Sequence, residues 1–64
     1  MCESTAYVVE NEKEEIFLKD VVKILPLEDG KMRVENLLGE QKEFSGRIRE
    51  IDFTGHKILL EPGN

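Results

Sequence analysis

Residues 21–38, VVKILPLEDGKMRVENLL, decide the fold of this chain of 64 residues. Residues 21–27 are almost wholly apolar, and their β-branched members favour a strand. Asp29 and Gly30 follow, and this dipeptide is a strong signal for a tight hairpin turn. Beyond the turn, apolar and charged residues alternate through residues 31–38, which predicts a second strand. The apolar residues predicted to share its inner face are Met32, Val34 and Leu38.

A helix competes with the first of these strands. Apolar residues recur at helical spacing between residues 17 and 25, and Pro26 would end such a helix. We favour the strand because β-branched residues dominate residues 21–24 and because the hairpin signal follows directly. Pro26 cannot donate a hydrogen bond to a sheet, so it suits an edge or a bulge.

Further strands are predicted on both sides of this hairpin. Residues 5–10 are rich in β-branched and aromatic residues and read as the first strand, with Tyr7 and Val9 on one face. The polar residues 10–15, including Glu10, Glu12, Glu14 and Glu15, predict a solvated loop. Gly39-Glu40 predicts a type II′ turn after the central hairpin.

The last third of the chain predicts one bent strand and one short strand. Phe44, Gly46 and Ile48 share one parity, whereas Ile51 and Phe53 have the other. A one-residue slip near Arg49 and Glu50 therefore predicts a bulge or a sharp bend. A turn at residues 54–56 leads into a short final strand at residues 58–60.

These elements predict an all-β fold. About five short antiparallel strands must close on themselves, because a flat sheet of this size would leave half of its apolar residues in water. We expect residues 1–64 to form a single domain, a small SH3-like antiparallel barrel. The aromatic residues predicted to fill its core are Phe17, Phe44 and Phe53, whereas Tyr7 is left as a candidate surface contact.

Composition excludes several functions. Fourteen acidic and nine basic residues give a net charge of −5, which argues against a nucleic-acid binder because phosphates require a basic face. A single cysteine excludes an internal disulfide, and no apolar run is long enough to span a membrane, so we expect a cytoplasmic location. One histidine and no nucleophilic triad predict that the protein is not an enzyme.

Cys2 is the candidate site residue. The terminal amine of Met1, the amide nitrogen of Cys2 and its thiolate form two adjacent chelate rings, a donor set that suits square-planar Ni(II) or Cu(II). A terminal cysteine with no ligand is the alternative, as is an amine donor from Cys2 itself if Met1 is removed. His56 is interpreted as an exposed turn residue, or as an auxiliary donor if the fold brings its turn near the start of the chain.

Several short segments together resemble one family. They are Met1-Cys2-Glu3, Ala6-Tyr7-Val8-Val9, Lys19-Asp20-Val21, Asp29-Gly30-Lys31, Phe44-Ser45-Gly46-Arg47-Ile48 and Ile51-Asp52, and they resemble the CooT family of small nickel-binding proteins. Such domains have also been labelled predicted RNA-binding proteins. The resemblance implies an SH3-like homodimer that binds Ni(II) through Cys2 and assists carbon monoxide dehydrogenase.

The sequence therefore predicts a nickel-binding accessory protein, a metallochaperone or a nickel sensor, with a nickel enzyme as its recipient. The alternative is a barrel that binds RNA or a partner protein without a metal. The contact residues in that case are Tyr7, Lys31, Arg33, Arg47 and Arg49.

Overall fold

The computed structural model describes residues 3–63, and the candidate metal residues Met1 and Cys2 lie outside this range. The described chain forms five strands. Their bounds are β1 Ser4–Glu10, β2 Lys13–Pro26, β3 Lys31–Asn36, β4 Gln41–Asp52 and β5 Lys57–Pro62. In this part of the chain, no helix has the length and apolar character needed to cross a membrane.

The strands form a closed barrel in chain order, which confirms the all-β, five-stranded prediction. Sequential neighbours are antiparallel, but β1 and β5 pair in parallel. A closed barrel with an odd number of strands that alternate in direction must contain one parallel pair, because its first and last strands run the same way. The prediction of an antiparallel barrel therefore holds for four of the five pairs, and the pair that closes the barrel differs.

A tight turn lies at each end of β2. Asp29 and Gly30 have φ of 61° and 71°, as a type I′ turn requires, so the predicted hairpin is confirmed. Asn11 and Glu12 also have positive φ, 55° and 64°, and join β1 to β2 directly. The chain therefore turns within residues 10–15 as predicted, but the predicted loop is too long, because Lys13–Pro26 is one continuous strand.

Both long strands bend, and the two halves of each pair with different neighbours. The register of β2 shifts on either side of Val21, and the adjacent Asp20 has φ of 58°. The register of β4 shifts between Ile48 and Glu50, where the parity of the sequence predicted a bulge. Because they bend, β2 and β4 can be longer than the predicted short strands and still follow the curve of the barrel.

The turn between β3 and β4 differs from its prediction. Strand β3 ends at Asn36, and Leu38 is 83% exposed in the turn rather than part of the core. The buried Oδ1 of Asn36 accepts hydrogen bonds from the N–H groups of Leu38 (3.1 Å) and Glu40 (2.8 Å). This side chain draws the chain into a four-residue turn, in place of the predicted type II′ turn.

The core lies inside the barrel and is small. Its buried apolar residues are Ala6, Leu18, Val21, Met32, Val34, Ile58 and Leu60. Phe17 and Phe44 pack against this cluster edge to face, with ring centroids 5.4 Å apart, as predicted. Phe53 was also predicted in the core, but it is 81% exposed because β4 has already ended and the chain is turning.

Candidate functional site

The start of β1 lies beside the turn that carries His56. The N–H of Thr5 donates a hydrogen bond of 3.0 Å to the main-chain carbonyl of His56, and Thr5 is paired with Lys57. The structure therefore places the His56 turn beside the start of β1, and the role of His56 as an auxiliary donor stays a prediction. Thr5 is three residues from Cys2, so the imidazole-bearing turn adjoins the segment that leads to the candidate ligand.

The turn at residues 53–56 has a defined shape. The Oδ1 of Asp52 accepts a hydrogen bond of 2.9 Å from the N–H of Gly55, and His56 has φ of 57°. His56 itself is exposed. An exposed imidazole held by a fixed turn is open to a metal ion that arrives from solvent.

Exposed apolar side chains surround the same end of the barrel. Ser4 is paired with Val21, which is in turn paired with Asn36, and the N–H of Leu37 donates a hydrogen bond of 2.8 Å to the carbonyl of Asp20. Leu37 is 61% exposed. We call the exposed apolar residues of the two turns at this end, Leu37, Leu38 and Phe53, the apolar end.

Within residues 3–63, no three histidine, cysteine, aspartate or glutamate side chains are grouped as a metal site would require. The acidic residues of the β1–β2 hairpin therefore form no such group.

A charged side chain crosses the outer surface at the closing pair of strands. The Nζ of Lys57 on β5 lies 3.1 Å from Oε1 of Glu14 on β2 and 5.2 Å from the ring centroid of Tyr7 on β1. The hydrogen bond and charge of Glu14 raise the pKa of Lys57 above the usual value of 10.5 for lysine. Sequence reasoning missed this contact because 43 residues separate Lys57 from Glu14 and no motif links them.

The structure weakens the RNA-binding alternative. Arg33 pairs with Glu43 at 3.3 Å, and the Nε of Arg47 pairs with Glu61 at 2.5 Å. Both arginines were candidate phosphate contacts, but a carboxylate already neutralises each one. Together with the net charge of −5, these pairs argue against a nucleic-acid surface built on Arg33 and Arg47.

The fold defines a small five-stranded β-barrel protein. Residues 1–61 match the family described as CO dehydrogenase accessory protein CooT, and the chain belongs to this family. The description is that of an accessory protein rather than an enzyme. The matched range includes Cys2.

One solved structure and two further proteins are similar to this chain. The crystal structure of a protein assigned as CooT from Carboxydothermus hydrogenoformans is 38% identical, with a TM-score of 0.91, and covers 98% of this chain and 100% of that chain. An uncharacterized protein from Methanothermobacter thermautotrophicus is 41% identical over 61 residues, which are 95% of this chain and 89% of that protein. Another from Archaeoglobus fulgidus is 43% identical over 44 residues, covering 69% of this chain and 96% of that protein.

Proposed function

We propose that this protein is a cytoplasmic nickel-binding accessory protein, a metallochaperone or nickel sensor that assists the maturation of carbon monoxide dehydrogenase. It takes Ni(II) as cargo through the thiolate of Cys2. The observation that carries the proposal is membership of the CooT family over a range that includes Cys2. The nickel enzyme is the expected recipient of the ion.

The chemistry of the donors fits this cargo. A thiolate and the nitrogen donors of Met1 and Cys2 offer soft and strong-field ligands in one plane, which Ni(II) accepts and which zinc, preferring a tetrahedron, does not. Binding displaces protons from the thiol and from the terminal amine, so nickel affinity is expected to fall as the pH falls below about 8.

His56 is proposed as a further nitrogen donor to the same ion. Its turn is joined to β1 by the hydrogen bond from Thr5 to the His56 carbonyl, three residues from Cys2. An imidazole is a good ligand for nickel, and its exposure leaves it free to bind. Loss of this donor is expected to weaken binding without abolishing it, because the thiolate remains.

A homodimer is also proposed. The apolar end exposes Leu37, Leu38 and Phe53 beside the start of β1, and a small domain gains stability by covering such residues. A twofold contact at this end would bring the two chain starts together, so that one ion is shared or each chain holds its own.

The test is to titrate Ni(II) into metal-free protein whose chain starts with Met1-Cys2. Binding is followed by sulfur-to-nickel charge-transfer absorbance. Wild type is expected to show a saturable band whose endpoint gives the number of ions per chain. Cys2→Ser is expected to lose the band. Unchanged nickel affinity in Cys2→Ser would overturn the proposal.

A second variant isolates the imidazole. His56→Asn removes the ring but keeps a residue that tolerates positive φ, so the turn is expected to fold normally. Retained charge-transfer absorbance with about tenfold weaker affinity is expected. Affinity equal to that of wild type would exclude His56 as a ligand while leaving the role of Cys2 intact.

A further inference from the structure

The outer surface of the barrel carries an apolar row across three strands. Tyr7 on β1 is paired with Ile16 on β2 and with Leu59 on β5, so these three side chains share one face. Tyr7 alternates with the core residue Ala6, which places the row on the outside. Val9 follows Tyr7 on the same face. We call Tyr7, Val9, Ile16 and Leu59 the β1 face.

An apolar row in this position is unusual. The outward side of a strand in a small barrel is generally polar, because only the inward side is covered. Ile16 is nevertheless 55% exposed, and Tyr7, Val9 and Leu59 are half-buried. A partly exposed aromatic residue among apolar side chains is a common feature of protein interfaces.

Carboxylates dominate the rim of this face. Val9 and Leu59 line a cleft of about 350 Å³ together with Glu12, Glu14, Glu50 and one cation, Arg49. Lys57 also reaches this region and pairs with Glu14, which leaves Glu12 and Glu50 beside Arg49. The rim therefore carries a net negative charge beside the apolar residues, while the Nζ of Lys57 lies over the Tyr7 ring.

We propose that the β1 face docks a partner protein whose contact surface is apolar with a rim of lysine or arginine side chains. Opposite charges across the rim would hold such a partner in register and speed its association. The inference does not depend on nickel binding, because it rests on residues of β1, β2, β4 and β5 and of the turn between β1 and β2.

The same charges disfavour binding of a second copy of this chain or of RNA at the β1 face. In a twofold contact with a second copy, each acidic rim would lie against an acidic rim, and like charges in apposition destabilise a complex. RNA would bring phosphates to the same carboxylates. The acidic rim is thus selective for a cationic partner.

The test is an NMR titration of the full chain. Amide spectra are recorded as a five-residue peptide of alternating lysine and valine, with both termini blocked, is added. Saturable shifts are expected at Tyr7, Val9, Ile16 and Leu59, and they are expected to weaken as salt is added. A peptide in which glutamate replaces lysine is expected to cause no such shifts. Shifts from both peptides, from neither, or scattered over the barrel would overturn the proposal.

Matched variants test the two components of the surface. Ile16→Ser is expected to weaken peptide binding at least about fivefold, whereas Leu25→Ser, which changes a similarly exposed residue of β2 beside β3, leaves it unchanged. Glu50→Lys is expected to weaken binding, with Glu28→Lys in the β2–β3 turn as its control. Equal effects within either pair would contradict the proposed surface.

Two further measurements address the competing occupants. Sedimentation of wild type and Ile16→Ser is expected to give the same oligomeric state, and dissociation of an oligomer by Ile16→Ser would assign the face to a second copy. A ten-nucleotide uridine strand is expected to leave the amide signals of the β1 face unmoved. Shifts there with this strand would assign the face to RNA instead.

Discussion

Lys57 reaches across the ring of Tyr7 to the carboxylate of Glu14, and this contact joins three strands of the barrel. Its Nζ lies 3.1 Å from the carboxylate and 5.2 Å from the ring centroid. Two of these strands, β1 and β5, form the parallel pair that closes the barrel. A single side chain therefore spans the place where the two ends of the sheet meet.

The pH dependence of this contact has a definite sign. The pKa of Lys57 is raised in the folded protein, so its contribution to stability is complete below the ordinary value of 10.5 and is lost as the pH rises through the higher folded value. We expect the difference in unfolding free energy between wild type and Lys57→Met to be constant from about pH 7 to 9 and to shrink at higher pH. Urea unfolding at a series of pH values measures this difference.

Salt provides the control for the same pair. The side chains are partly exposed, so 1 M salt is expected to reduce the effect of Lys57→Met by screening. Lys19→Met removes another exposed lysine of the same chain and serves as the comparison. If the effect of Lys57→Met on the unfolding free energy grew with pH, or did not change with salt, the electrostatic explanation would be ruled out.

Gly46 is expected to be intolerant of a side chain. Its φ is 153°, and an added Cβ would overlap the carbonyl oxygen of Glu61 and lie 2.7 Å from the Phe44 ring. We expect Gly46→Ala to lower the free energy of unfolding by about 3 kcal/mol or more. Gly30→Ala has open space around it and only an unfavourable φ of 71°, so a loss of about 1–2 kcal/mol is expected. Equal losses in urea unfolding would contradict this account.

Asn36 is expected to be the most costly polar residue to remove from the turns. Its buried side chain accepts two main-chain hydrogen bonds and donates one of 2.7 Å to Glu40. Asn36→Ala leaves these groups without their partner, with an expected loss of about 2–3 kcal/mol. Gln41→Ala, which removes an exposed hydrogen bond to Glu35, is expected to cost under about 0.5 kcal/mol. Thermal unfolding of both variants checks the ranking.

The two phenylalanines at the ends of β4 are expected to behave differently. Phe44 packs against Phe17 and the core, so Phe44→Ala should cost about 2–3 kcal/mol. Phe53 is exposed at the apolar end, and Phe53→Ala is expected to change monomer stability by less than about 0.5 kcal/mol. Unfolding at low protein concentration separates this effect from any dimer, and a large loss in Phe53→Ala there would show that Phe53 belongs to the core.

The turns and bends were predictable where one residue type dictates the backbone. Asp29-Gly30 favours positive φ at both central positions, and the change of parity between Ile48 and Ile51 requires a bulge. Asn11-Glu12 carries no such signal because glutamate rarely adopts positive φ, so the first hairpin was mistaken for a loop. Leu38 and Phe53 were placed in the core because apolar periodicity does not reveal where a strand ends.

The candidate site was predictable only in part. Cys2 and Met1 follow from chemistry at the start of the sequence, and they remain a prediction. That the His56 turn adjoins β1 depends on the parallel pairing of β1 with β5, which local patterns do not encode. The β1 face was missed for the same reason, because its apolar row combines residues from three distant segments.

The parallel closing pair also gives the barrel two distinct poles. Strands β1 and β5 run the same way, so Ser4 and Pro62 lie toward opposite ends of the pair they form. A fluorophore or surface tether attached after Gly63 would therefore sit away from the pole where β1 begins. The protein can be immobilised by that far pole and still leave the start of β1, with the His56 turn beside it, facing the solution.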